Sequence, residues 1–184
     1  MTETTGSHDL KPAELTKVPR QPISIQPYLG AQSEEALFDN NLEENRYNRK
    51  YVGQGHARVS LEGIPLVTEG LFKCTAGLVR NTDTGVSALV HFEPHIESAF
   101  RLQSELSNLG DGERKALIFK GTHGLAHEAE GVLNFLGILV VDIVPIETGE
   151  VGWAIAYIPK NDKVIIDQKS AKNSLTYEGF NAPS

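Results

Sequence analysis

Between Cys74 and His91 two short apolar runs flank the turn-forming stretch Asn81-Thr82-Asp83-Thr84-Gly85. Runs of that length, rich in aliphatic and β-branched residues, predict two strands and a tight connection. In an antiparallel pair the start of one strand lies beside the end of the other. Cys74, the only cysteine in the chain, opens the first strand, and His91 closes the second. The hairpin is therefore expected to carry a thiol and an imidazole to one edge of a sheet, which is how a nucleophile meets its base. Thr68, just upstream, supplies a hydroxyl able to accept a hydrogen bond from the far ring nitrogen and so keep the imidazole in one tautomer.

Taken singly these residues say little. Free cysteine is commonly a small buried core residue, and threonine is common in strands. The spacing of the three is what points to chemistry, because an imidazole beside a thiol makes the thiolate available.

Composition narrows the setting. A chain of 184 residues fits one domain with some loose chain, and an apolar content of 40% suffices for a core. The net charge of -7, with no basic cluster, argues against broad nucleic-acid or anionic-membrane binding. One cysteine excludes an internal disulfide framework and any multi-cysteine zinc site. The first seventeen residues are polar, without a cleavable signal pattern, and no run approaches the ~18 apolar residues of a membrane span. A cytoplasmic protein is the expectation, with export by a machine that needs no cleaved signal as the alternative.

Residues 1–52 read as a polar extension, largely without regular structure: Pro12, Pro19, Pro22 and Pro27 fall among polar residues, and apolar residues are sparse. Residues 53–168 read as the catalytic domain. His56 to Leu61 alternates like a strand, and Gly63-Ile64-Pro65 turns the chain into the Thr68 segment. After the hairpin, Glu93-Pro94 predicts a helix start, with Ile96, Ala99, Phe100, Gln103, Leu106 and Leu109 on one stripe and Gly110 as the stop. Lys115 to Phe119 predicts a strand. Gly124 to Leu136 predicts a second helix facing inward through Leu125, Ala129, Val132, Leu133 and Leu136.

Leu139 to Val144 is an apolar run suited to a central strand. Glu147-Thr148-Gly149-Glu150 then predicts a hairpin turn into Gly152 to Ile158, and Lys160-Asn161-Asp162 a turn into Val164 to Ile166. Residues 169–184 read as a loose tail. The fold class expected is α+β, a mostly antiparallel layered β-sheet with two packed helices.

Thr68-Glu69-Gly70-Leu71-Phe72-Lys73-Cys74 resembles the T-x-G-L-x-x-C entry of the CheD chemoreceptor glutamine deamidases, and the gap to His91 is similar to theirs. The resemblance spans roughly Val59 to Ile166 and extends to the order of strands and helices. It differs at Phe72-Lys73, where the family carries Gly-Ser. It implies a CheD-like fold and a Cys74-His91-Thr68 site that hydrolyses the side-chain amide of a protein glutamine, a chemistry shared with cytotoxic necrotizing factor toxins. The implied partner is a protein presenting a glutamine, either a chemoreceptor or another protein, including a host protein in the manner of a toxin. No cofactor and no metal is called for. His95 and the His123/His127 pair give only a weak metal signal, since the residues between the pair do not form the H-E-x-x-H motif. Two alternatives stay open: a non-catalytic binding or regulatory module on the same scaffold, and a cysteine amidase or peptidase acting on small substrates. Lys73, Trp153 and the Thr122-His123-Gly124 loop are candidates for the border of the site.

Overall fold

The computed structural model describes residues 22–28, 51–60, 63–93, 99–148, 152–167 and 175–177. The central hairpin pairs β4 (Thr75–Asn81) with β5 (Ser87–Phe92), from Thr75 opposite Phe92 to Arg80 opposite Ser87. Its turn is organised by one side chain. Asn81 Oδ1 accepts from the backbone N–H groups of Asp83 and Thr84, at 2.9 and 3.0 Å, as an asparagine turn requires. Every residue of both strands is buried, so the sheet they belong to is covered on both faces.

The other elements, in chain order, are β1 (Ile23–Pro27), β2 (Ala57–Val59), β3 (Leu66–Leu71), α1 (Ala99–Leu106), β6 (Arg114–Lys120), α2 (Ala126–Phe135), β7 (Leu139–Pro145), β8 (Trp153–Ile158), β9 (Lys163–Asp167) and β10 (Leu175–Tyr177). One sheet has the order β2-β5-β4-β6-β7 and the other β10-β1-β9-β8-β3. Pairing is antiparallel except for β6 with β7 and β1 with β9.

Alternation along the strands builds two cores. Ala76, Leu78, Leu89, Leu117 and Phe119 face Ile23, Ile25, Leu66, Leu71, Ile155, Tyr157, Val164 and Ile166 between the sheets. Val79, Val90, Phe92, Ala116 and Ile118 face the helices, which contribute Ala99, Leu102, Leu106, Ala129, Val132 and Leu133. The layers are therefore helices, sheet and sheet, an α+β fold that is mostly antiparallel, as its residues predict.

Several elements depart from expectation. The inward stripe of α1 is Ala99, Leu102 and Leu106, continued by Leu109, whereas Phe100 is 75% exposed and Gln103 is exposed. Helical spacing admits both stripes, and the one with aliphatic residues at every inward position wins. The second helix starts at Ala126, leaving Leu125 outside it and exposed. Strand β7 is not central. It forms an edge, with Leu139 55% exposed, because the β6-α2-β7 crossover sets it parallel to β6 beyond the hairpin. The connection from β7 to β8 is no hairpin either, since the two strands belong to different sheets.

Within the stretch expected as an extension, Ile23–Pro27 is a strand inserted between β9 and β10. Ile23 and Ile25 point into the inter-sheet core, and the non-local partner β9 supplies the ladder that a proline-flanked segment lacks on its own. Leu175–Tyr177, in the expected tail, pairs with β1. Apart from Pro22, Tyr28, Tyr51 and Val52, the rest of both stretches, with Pro94, His95 and Ile96, lies outside the described residues.

Polar contacts tie the sheets together at two poles. At one, Arg80 of β4 donates from Nε to Ser87 Oγ (3.1 Å) and from Nη2 to Tyr157 (3.0 Å) and to the Asp162 carboxylate. At the other lie Thr68 and His91.

Candidate active site

The segment from Thr68 to Cys74 carries the chain from one sheet to the other. Thr68 sits on β3 opposite Ile155, and Leu71 sits opposite Trp153, so three steps on β3 match two on β8. The extra residue makes a bulge. Gly70 takes φ +72, a conformation that side-chain-bearing residues adopt with strain, and Phe72 N–H donates to Gly70 O at 3.0 Å. Leu71 stays fully buried while Phe72 and Lys73 are exposed, and Cys74 then stands immediately before β4 of the facing sheet. The spacing between threonine and cysteine is the length of this crossing.

His91 is 2% exposed and bridges the sheets: its Nδ1 lies 2.7 Å from Thr68 Oγ1. The Thr68 hydroxyl has one proton and gives it to Val52 O at 2.8 Å. Oγ1 therefore accepts from His91, which places the ring proton on Nδ1 and leaves the Nε2 lone pair open. The backbone holds the ring in register, with His91 N donating to His56 O and Gly55 N donating to His91 O, both at 2.9 Å. Burial lowers the pKa of His91 to about 4, so the imidazole is neutral around pH 7.

Ala76 lies directly opposite His91, and Cys74, two residues before Ala76, shares its face. Cys74 is thus the diagonal neighbour of His91 on the inter-sheet side, within the span that such pairs bridge. It is 8% exposed. Burial, and after it the carboxylate of Glu93, pushes the Cys74 thiol above its ordinary range. At rest a neutral thiol stands diagonal to a neutral imidazole whose Nε2 makes no hydrogen bond to it, so the two do not form a preformed ion pair.

Two connecting segments close around this pole. Gly121 to Gly124 leads from β6 into α2 and is held by Thr148, whose Oγ1 accepts from Thr122 N at 3.0 Å and whose carbonyl accepts from Thr122 Oγ1 at 2.6 Å. A Cβ on Gly124 would stand 2.9 Å from Thr75 Oγ1 and 3.2 Å from Cys74 O, and one on Gly121 would stand 2.5 Å from Trp153 Nε1. The loop thus packs backbone against both sides of the pole. His123 lies across Phe72, ring centroids 5.1 Å apart.

Among the described residues, Thr75 Oγ1, His91 Nε2 and Trp153 Nε1 at this pole are buried without a hydrogen-bond partner, as is Arg114 Nε away from it. Buried polar atoms of native proteins are nearly always paired, and the exceptions mark strained positions, redox or catalytic groups, or water and ion sites. Compared with known proteins, the chain matches no family model and no curated protein.

The structure brings Thr68 and His91 into contact and sets Cys74 on their face. Trp153, Lys73 and the Thr122-His123-Gly124 loop border the same pole. It adds three groups that the sequence reading left out. Val52 fixes the direction of the Thr68 hydroxyl, Thr75 carries an unpartnered hydroxyl on the opposite face of the strand, against the Gly124 loop, and the hairpin register sets Glu93 level with Cys74. Glu93 was within reach of the hairpin register, which places it one step beyond Phe92; it reads instead as a helix start because Pro94 follows.

The histidine pair is not a metal pair of one helix face. His123 precedes α2, and His127 is exposed on it with Nδ1 3.6 Å from Glu130. Among the described residues, no group of three or more His, Cys, Asp and Glu side chains could hold a metal ion. None of their helices is long and apolar enough to cross a membrane.

Proposed function

We propose that the protein is a cysteine-dependent protein-glutamine deamidase that uses Cys74 as nucleophile, His91 as base and acid, and Thr68 to orient the ring. The observation that carries this reading is the one-way hydrogen-bond chain from His91 Nδ1–H through Thr68 Oγ1 to Val52 O. It leaves Nε2, the basic nitrogen, unpartnered on the face that holds Cys74. Buried side-chain nitrogens are mostly paired, and one left open on the same face as a thiol is placed to serve as a base.

In this reading His91 Nε2 takes the thiol proton as sulfur attacks the carboxamide carbon of a glutamine. The tetrahedral oxyanion calls for preorganised donors, the backbone N–H of Cys74 and one from a neighbouring loop being the pair expected. His91 returns the proton to nitrogen, the carbon–nitrogen bond breaks, and ammonia leaves a thioester. Water, deprotonated by the neutral imidazole, attacks the thioester. Glutamate is released and the thiol regains its proton. The substrate is a protein presenting a glutamine, in a chemoreceptor or in another protein.

The test is mass spectrometry of glutamine-presenting proteins incubated with the wild type and with Cys74→Ser. Expected is conversion of a carboxamide to a carboxylate with matching ammonia release, by the wild type only. Ammonia release that survives Cys74→Ser would refute the assignment.

The raised thiol pKa favours a second reading, a non-catalytic regulatory module on this scaffold. That module would convert no glutamine and would bind its partner equally well as Cys74→Ala. A small-amide hydrolase, in contrast, would turn over free glutamine.

A further inference from the structure

Glu93 follows His91 by two residues on the same side of the hairpin, and the last rung of the ladder joins Thr75 to Phe92. The next position sets Glu93 level with Cys74, where cross-strand Cβ atoms are about 4.5–5.5 Å apart. A second contact fixes the carboxylate. It lies over Gly55, where a Cβ would stand 2.9 Å from Glu93 Cδ and 3.0 and 3.2 Å from its oxygens. Gly55 has φ +72 and also holds the carbonyl of His91, so the same glycine positions the base and makes room for the acid.

Glu93 is half-buried, and among the described residues no ion pair engages it. Near the thiol the described residues also place His91, diagonal to it and neutral, Lys73, adjacent in the chain and exposed, and His123, in the loop that packs on Cys74. His123 lies across Phe72 at the rim of the same pole.

A fixed negative charge level with a sulfur that must become an anion opposes the attack. A cation arriving with the substrate would cancel it at the moment of reaction. Resting on the deamidase reading, we propose that Glu93 is a specificity-determining residue that selects glutamines flanked by a lysine or arginine side chain. The flanking cation pairs with the carboxylate without proton transfer, and the thiol proton goes to His91 Nε2 as before.

Because Cys74 is the only cysteine, thiol labelling reports on it alone. The probes are the trimethylammonioethyl and sulfonatoethyl methanethiosulfonates, a cationic and an anionic reagent of similar size. Relative to the same pair on free cysteine, the native protein is expected to favour the cation by about tenfold or more, the order set by one charge within ~5 Å. Glu93→Gln is expected to return the ratio to that of free cysteine and to speed labelling by neutral iodoacetamide. A ratio unchanged by Glu93→Gln, or a native thiol that neither reagent reaches, would overturn the inference.

A second arm compares deamidation of two carrier proteins that differ only in lysine or glutamate beside the same glutamine. The lysine form should have the higher kcat/KM with the wild type and lose that advantage with Glu93→Gln. A charge-selective thiol without any deamidation would sink the deamidase reading alone, whereas deamidation by a charge-blind thiol would sink this inference alone.

Discussion

At the scale of single residues, the informative pair is Thr68 and His91. Thr68→Val removes the Nδ1–H acceptor found among the described residues and releases the ring from its tautomer, while Thr68→Ser keeps the hydroxyl. Predicted is a loss of about 10²-fold in kcat/KM for the valine variant, the usual worth of a positioned acid–base, and near-wild-type activity for serine. His91 also links stability to pH. Its folded pKa, about 4, lies below the ordinary 6.5, so the folded state keeps the ring neutral while the unfolded chain binds a proton. The contribution is complete above pH 6.5 and is lost as pH falls toward about 4, for a total of about 3 kcal/mol. Urea unfolding at both ends of that window should show His91→Gln losing less stability on acidification than the wild type; equal losses would contradict it. These residues are legible in the sequence because a hairpin converts spacing into proximity. Val52 is not, since its contact with Thr68 joins distant segments that no periodicity connects.

Among the elements, the β3 bulge sets the position of Cys74. Gly70→Ala meets no neighbouring atom but forces a side-chain-bearing residue to φ +72. A cost of about 1–2 kcal/mol in unfolding free energy is expected, with activity reduced because the crossing displaces Cys74. Full stability in that variant would show that the positive φ is not required. The sequence announces this glycine but not its purpose, because a bulge exists only relative to the partner strand β8. Strand β7 teaches the reverse lesson. Its apolar run reads as central, yet it forms an edge, and Asp142 Oδ1 accepts the Ile143 N–H at 2.7 Å, occupying one of its backbone donors. An apolar run tells how much surface is buried, not on which side a neighbour stands.

Across the molecule, the two poles of the sandwich divide the work. Arg80, 1% exposed, gathers Ser87, Tyr157 and Asp162 at one pole, and the site occupies the other. Asp162 has φ 49, which asparagine also tolerates, so Asp162→Asn removes the charge with little backbone strain. Denaturation should show a loss of about 2 kcal/mol, since a buried guanidinium loses its counter-charge, without a change in Cys74 labelling per folded molecule. Layers and class are readable from the alternation of apolar residues. The insertion of β1 between β9 and β10 is not, because five residues with two inward isoleucines carry too little pattern to reveal a partner so far along the chain.

The most direct test of the Cys74-His91-Thr68 arrangement is nitrogen NMR of the protein labelled at its histidines, with His91 assigned by substitution. Predicted is a neutral ring protonated at Nδ1 that titrates near pH 4, with an Nε2 resonance that moves in Cys74→Ala. A ring protonated at Nε2, or one with an ordinary pKa near 6.5 and no response to Cys74→Ala, would contradict it.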